Sequence, residues 1–125
     1  MAWTLDARIP LILVEDPAAL AAALAAGPPA AVLGVLPSGQ ARAVVAEGFD
    51  PSTPHAPACA CCQGRPSAAV ALDRLFQARV RGQCPWFERV VALADTAASR
   101  AAVATALDQD AVTAARFRWA AGEAR

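Results

Sequence analysis

The residues best suited to chemistry are concentrated in one short run, His55-Ala-Pro-Ala-Cys59-Ala-Cys61-Cys62, which holds the only histidine of the chain and three of its four cysteines. Thiolate and imidazole groups suit zinc, copper(I) and similar ions, and a tetrahedral zinc site takes three or four such donors. In an extended chain Cys59 and Cys61 point to the same side, because side chains alternate with period two. Cys62 points the opposite way unless the backbone turns, and Gln63-Gly64 follows at once, with a glycine that tolerates a turn's dihedral angles. The spacing alone leaves three readings open: a metal site, free thiols buried as small apolar residues, and redox chemistry. A disulfide between the neighbouring Cys61 and Cys62 is disfavoured by strain, and a reducing cytosol opposes it further. Cys62 also precedes a predicted helix start near Ser67, which would favour a thiolate. The sole imidazole base, His55, lies seven residues away in a proline-rich stretch, so a nucleophilic cysteine enzyme is not expected.

The elements that must position this run are legible from apolar patterning. Ile9-Pro10-Leu11-Ile12-Leu13-Val14 reads as a strand buried on both faces, with Pro10 tolerated near its start. Asp16-Pro17 supplies an N-cap followed by proline at the first helical position, and Ala18 to Ala26 has high helix propensity. Gly27-Pro28-Pro29 stops that helix, Ala31 to Leu36 is a second buried strand, and Ala43 to Ala46 is a short third one. From Gly48 to Pro66 the hydrophobic period vanishes, so the cysteine run sits in a loop. Pro66-Ser67 opens a helix to about Arg81 with an apolar stripe of Leu72, Leu75, Phe76 and Val80; Asp73, Arg74, Gln77 and Arg81 face water, and Gly82 ends it. Arg89 to Ala94 is a further strand, and Ala98 to Arg118 reads as two helical pieces broken near Asp108, before a polar tail. Alternating strands and helices predict a single α/β domain over residues 1–125, a small three-layer, mostly parallel sheet with helices on both faces.

Composition narrows the partners. The chain has 125 residues, enough for one domain. Apolar residues make up 57% of the chain, but 35 of them are alanine, which leaves a thin core of large side chains. Eleven acidic and eleven basic residues are spread along it, so there is no basic patch for nucleic acid or an anionic membrane. Every basic residue is arginine. Pro17 to Ala41 carries no charge, but Gly27-Pro28-Pro29 cuts it in the middle and alanine dominates its first half, so a helix, a turn and a strand are expected rather than a membrane span. Residues 1–10 lack the pattern of a secretory signal, which points to the cytoplasm. Trp3, Trp86 and Trp119 are too scattered for a stacking platform and are expected to cover the edges of the core.

Cys59-Ala60-Cys61-Cys62 followed by a helix, then Phe87-Glu88-Arg89-Val90-Val91, then helical Ala101 to Leu107, then Arg116-Phe117-Arg118-Trp119, resembles the CobW-type GTPases and metallochaperones. The resemblance covers residues 59 to 119; residues 9 to 36 fit the family's first strand, helix and second strand by pattern alone. It implies a P-loop-type domain whose cysteine motif, here Cys59, Cys61 and Cys62, holds zinc or cobalt for delivery to a client. The family's preceding glycine is Ala58 here, and His55 and Cys84 have no place in the motif, although each is a candidate to complete a site.

The family's GTP chemistry needs a glycine-rich loop, a lysine and a serine or threonine on magnesium. After the first strand the chain instead reads Val14-Glu15-Asp16-Pro17, it contains no lysine, and Arg8 precedes the strand. The family's switch glutamate falls on Leu93 and its switch glycine on Thr96, while Asp95-Thr96 reads more readily as a helix N-cap than as a magnesium site. The resemblance would place the guanine-reading motif beyond Arg125, and the family's next strand just after Trp119, leaving an unpaired sheet edge. The expectation is therefore a degenerate, non-hydrolytic CobW-like protein that binds no GTP. It would hold zinc, or another thiophilic ion such as cobalt, on Cys59, Cys61 and Cys62 with His55 as a fourth donor, for buffering or delivery to a client or companion protein. The rival expectation is a catalytically dead pseudo-GTPase that serves as an interaction or dimerisation module with no metal.

Overall fold

The computed structural model describes residues 7–34, 43–50 and 66–120. Five strands form one sheet and every strand pair is parallel. They are β1 (Ile9–Val14), β2 (Ala30–Leu33), β3 (Ala43–Glu47), β4 (Val90–Leu93) and β5 (Phe117–Trp119). Their order across the sheet is β3-β2-β4-β1-β5. Parallel neighbours need crossover connections, and helices lie in those from β1 to β2, from β3 to β4 and from β4 to β5: α1 (Pro17–Ala25), α2 (Ser67–Val80), α3 (Ala97–Gln109) and α4 (Ala111–Arg116). The fold is α/β, as the alternation of elements predicts.

The two faces of the sheet carry two apolar clusters. Leu20 and Leu24 of α1 pack on Val32 and Val91, while Leu72 and Leu75 of α2 and Val103 of α3 pack on Leu11, Leu33, Val90 and Ala92. Neighbouring residues of β4 thus serve opposite faces, as the period of a strand dictates. All four residues of β2 are buried, which is why its sequence is a continuous apolar run rather than an alternating one.

Side-chain caps set the helix starts. Asp16 Oδ1 accepts from the Ala19 backbone N–H at 2.7 Å, and Thr96 Oγ1 accepts from that of Ser99 at 3.0 Å. The last helical stretch breaks at Asp110, two residues beyond Asp108. Asp110 ends α3 and caps α4, with its Oδ2 accepting from both the N–H and the hydroxyl of Thr113 at 3.0 and 2.8 Å. Phe117 and Arg118, read from sequence as the end of a helix, instead belong with Trp119 to strand β5, paired with β1 through Ile9 to Phe117 and Leu11 to Trp119. The fifth strand thus ends at Trp119 and forms one edge of the sheet beside β1. Val80 is 53% exposed and does not belong to the apolar stripe of α2, whereas Asp73 is half-buried and ion-paired with Arg116. No helix among the described residues is long and apolar enough to cross a membrane.

Candidate functional site

In a parallel α/β sheet the loops after the strands gather at the carboxyl end, where ligands bind at points of reversed connection. Here β1 leads through α1 toward β2, while its neighbour β4 leads through α3 and α4 the opposite way to β5. The crevice between the ends of β1 and β4 is that switch point. Glu15 and Asp16 follow β1, and Ala94, Asp95 and Thr96 follow β4. Arg100 reaches across to Glu15 at 3.5 Å.

The switch point is poorly furnished for phosphate. A helix N-terminus binds anions through unpaired backbone N–H groups. At α1, Pro17 has no N–H and the Asp16 carboxylate already occupies that of Ala19. Thr96 caps α3 rather than facing the crevice as a metal ligand would, and it also donates to Ser99 Oγ at 2.9 Å. A small cavity of about 130 Å³ opens beside the crevice, lined by Gly34, Phe49, Leu93, Asp95 and Ser99.

Cys59, Cys61, Cys62 and His55 lie outside the described residues. The residues on either side of residues 51–65 are described, and they meet. Ser67 Oγ, at the start of α2, donates to the Asp50 carbonyl at 2.8 Å. Asp50 follows β3 at the carboxyl end of the sheet, so the chain departs from and returns to one point there. Pro66 gives α2 no side-chain cap.

Cys84 is described and stands elsewhere. It follows α2, whose fourteen residues span about 21 Å from Ser67 to Val80, and so lies toward the amino end of the sheet. It is half-buried against the larger core cluster, and burial pushes its thiol pKa up. A thiol held in its protonated form is a poor ligand or nucleophile. Among the described residues no group of three His, Cys, Asp or Glu side chains converges as a metal ion would require.

Two features escaped the sequence reading. Arg89, read only as the start of a strand, is buried with 9% exposure. Its guanidinium donates from Nε and Nη2 to the Pro28 carbonyl at 2.9 and 2.7 Å, from Nη1 to that of Ala23 at 2.9 Å and from Nη2 to that of Leu24 at 3.3 Å. A cation at the end of α1 satisfies carbonyls that the helix leaves open and complements its dipole. An arginine directly ahead of the apolar run Val90-Val91-Ala92-Leu93 was the available signal. The second feature is the stacking of Arg79 on Trp86, with the guanidinium carbon 3.7 Å from the ring centroid. Compared with models of protein families, with curated proteins and with solved structures, the chain matches none of them.

Proposed function

We propose that this protein binds a thiophilic transition metal, zinc or cobalt, through Cys59, Cys61 and Cys62 with His55 as a fourth donor, and buffers it or hands it to a client. The reading treats the chain as a non-hydrolytic relative of CobW-type proteins. The observation that supports it best is the hydrogen bond from Ser67 to the Asp50 carbonyl. It ties the two ends of the ligand-bearing segment to one point at the end of the sheet where α/β proteins bind their ligands. Three thiolates fix the ion, and a weaker or exchangeable fourth donor lets a client's ligand attack, which distinguishes a carrier from a closed structural site. Binding releases protons from the thiols and weakens as pH falls. The Asp16 cap on α1 supports a role without GTP, since a carboxylate and a proline stand where a phosphate would need N–H groups.

Elemental analysis of protein purified under reducing conditions without chelator, beside a variant with Cys59, Cys61 and Cys62 all changed to serine, tests the proposal. About one zinc or cobalt per chain, lost in the variant, is the expected result. Absence of metal from the unaltered protein after zinc is offered at neutral pH would refute it. The rival reading, a metal-free interaction module, is favoured by the exposure of Trp86 at 60% and of Val80 at 53%. A metal-free protein that self-associates would support that reading.

A further inference from the structure

A cavity of about 320 Å³ opens beside β5, lined by Arg8, Leu107, Asp108, Phe117, Arg118 and Trp119. β5 is the last strand in the order β3-β2-β4-β1-β5. All three of its residues reach the cavity, which therefore follows the outer edge of the strand rather than one face of the sheet. The volume stands at the lower end of the range for small-molecule sites. Leu107 and Phe117 are buried beneath it, and its accessible wall is mainly polar, as a site for a charged group requires.

The polar groups come from three separate parts of the chain. Arg8 precedes β1 and is exposed, and its Nη1 donates to the Ala114 carbonyl of α4 at 3.3 Å. Arg118 is half-buried, and its Nη1 donates to the Trp119 carbonyl at 3.4 Å. Both bonds are longer than a normal N–H···O hydrogen bond, so they yield readily to a charged acceptor. Asp108, in the last turn of α3, accepts from the Trp119 indole N–H at 3.4 Å and ties the half-buried ring to the wall. Two guanidiniums against one carboxylate leave the lining with a net positive charge.

We propose that this cavity binds a small organic monocarboxylate. The ligand's carboxylate accepts from the guanidiniums of Arg8 and Arg118, whose N–H groups form a planar fork that matches it. Its hydrocarbon part lies against the Trp119 indole, which favours an organic acid over an inorganic anion. A single negative charge fits, because Asp108 repels a second one. None of these residues belongs to the metal reading, so the two succeed or fail separately.

Benzoate and hexanoate, each beside its uncharged amide, and inorganic phosphate are titrated against the full chain labelled with nitrogen-15. Binding is followed at the indole N–H signal of Trp119, which is assigned by its loss in Trp119→Phe. The expected result is a saturable shift with one or both acids, at least about tenfold weaker binding of the matching amide and of phosphate, and at least about tenfold loss in Arg8→Met and in Arg118→Met. Absence of a saturable shift with either acid up to about 10 mM overturns the proposal. So does an amide that binds as well as its acid, or an affinity that either variant retains. Phosphate binding as tightly as the acids also overturns it, since that would mark a general anion effect. If Arg118→Met lowers the folded fraction, Arg8→Met carries the test, because Arg8 is exposed ahead of β1.

Discussion

Replacing Arg89 by methionine keeps much of the side chain's length and apolar volume while removing every donor. In the folded protein the guanidinium makes four hydrogen bonds to the carbonyls of Ala23, Leu24 and Pro28. Each hydrogen bond from a charged donor contributes about 1.5–3 kcal/mol. The four share one group and several of their acceptors are partly accessible to water, so the loss falls well below their sum; about 3–4 kcal/mol is expected. Against the 5–15 kcal/mol typical of a domain, that is a large fraction, worth a fall of roughly 10–15 °C in Tm. Urea denaturation followed by circular dichroism measures it directly, as a lower midpoint with an unchanged slope. Gly27→Ala probes the same contact from the other side. A Cβ there would lie 3.0 Å from Arg89 Cζ and 3.1 Å from its Nη2, and hydrogen bonds hold the guanidinium against moving aside. Gly27→Ala should therefore destabilise the unaltered chain by about 1–2 kcal/mol, and by less once Arg89 is methionine, giving a coupling of about 1 kcal/mol in the double-mutant cycle. A loss below about 1 kcal/mol for Arg89→Met, or strict additivity with Gly27→Ala, would show that Arg89 does not hold the end of α1.

Gly34 follows β2 with φ at +131°, and a Cβ there would meet Leu93 Cβ at 3.2 Å and the Leu93 carbonyl oxygen at 3.3 Å. Gly34→Ala should cost about 2–4 kcal/mol in the same denaturation assay; a near-neutral result would contradict that close approach. Asp110→Ala removes the cap shared by Thr113's N–H and hydroxyl, and about 1–2 kcal/mol of lost stability is expected, with α4 amides exchanging hydrogen faster than those of α2. Cys84 should react with a small alkylating reagent more slowly than an unfolded thiol at the same pH, because burial raises its pKa. Its pH linkage has a definite sign: above the ordinary thiol value of 9.0 the unfolded chain releases a proton that the folded chain retains, so this group's contribution to stability falls as pH rises. Stability rising through that range in the unaltered chain relative to Cys84→Ala would refute the assignment.

The amino-acid sequence by itself determined the elements whose cause is local. β1 and β2 are continuous aliphatic or alanine-rich runs, α1 is bounded by Asp16-Pro17 and Gly27-Pro28-Pro29, and α2 has its apolar residues at helical spacing. Alternation of these elements was enough to imply an α/β fold, because parallel strands require crossovers. It also brought the thiols and imidazole of residues 55–62 to notice, since donor chemistry is a property of residue type. What the sequence could not carry was decided by long-range pairing. Phe117-Arg118-Trp119 is too short to declare itself as a strand, and it becomes one because the outer backbone edge of β1 is there to pair with it. Val80 continues the apolar spacing of α2, yet it is 53% exposed, because spacing alone does not say which part of a helix another element will cover. Arg89 looked like an ordinary charge at the start of a strand until the order β2-β4-β1 set it beneath the end of α1, some sixty residues away in sequence. Local patterning is written in adjacent residues, but the partner that satisfies a buried cation or an open strand edge is known only once the chain has closed on itself.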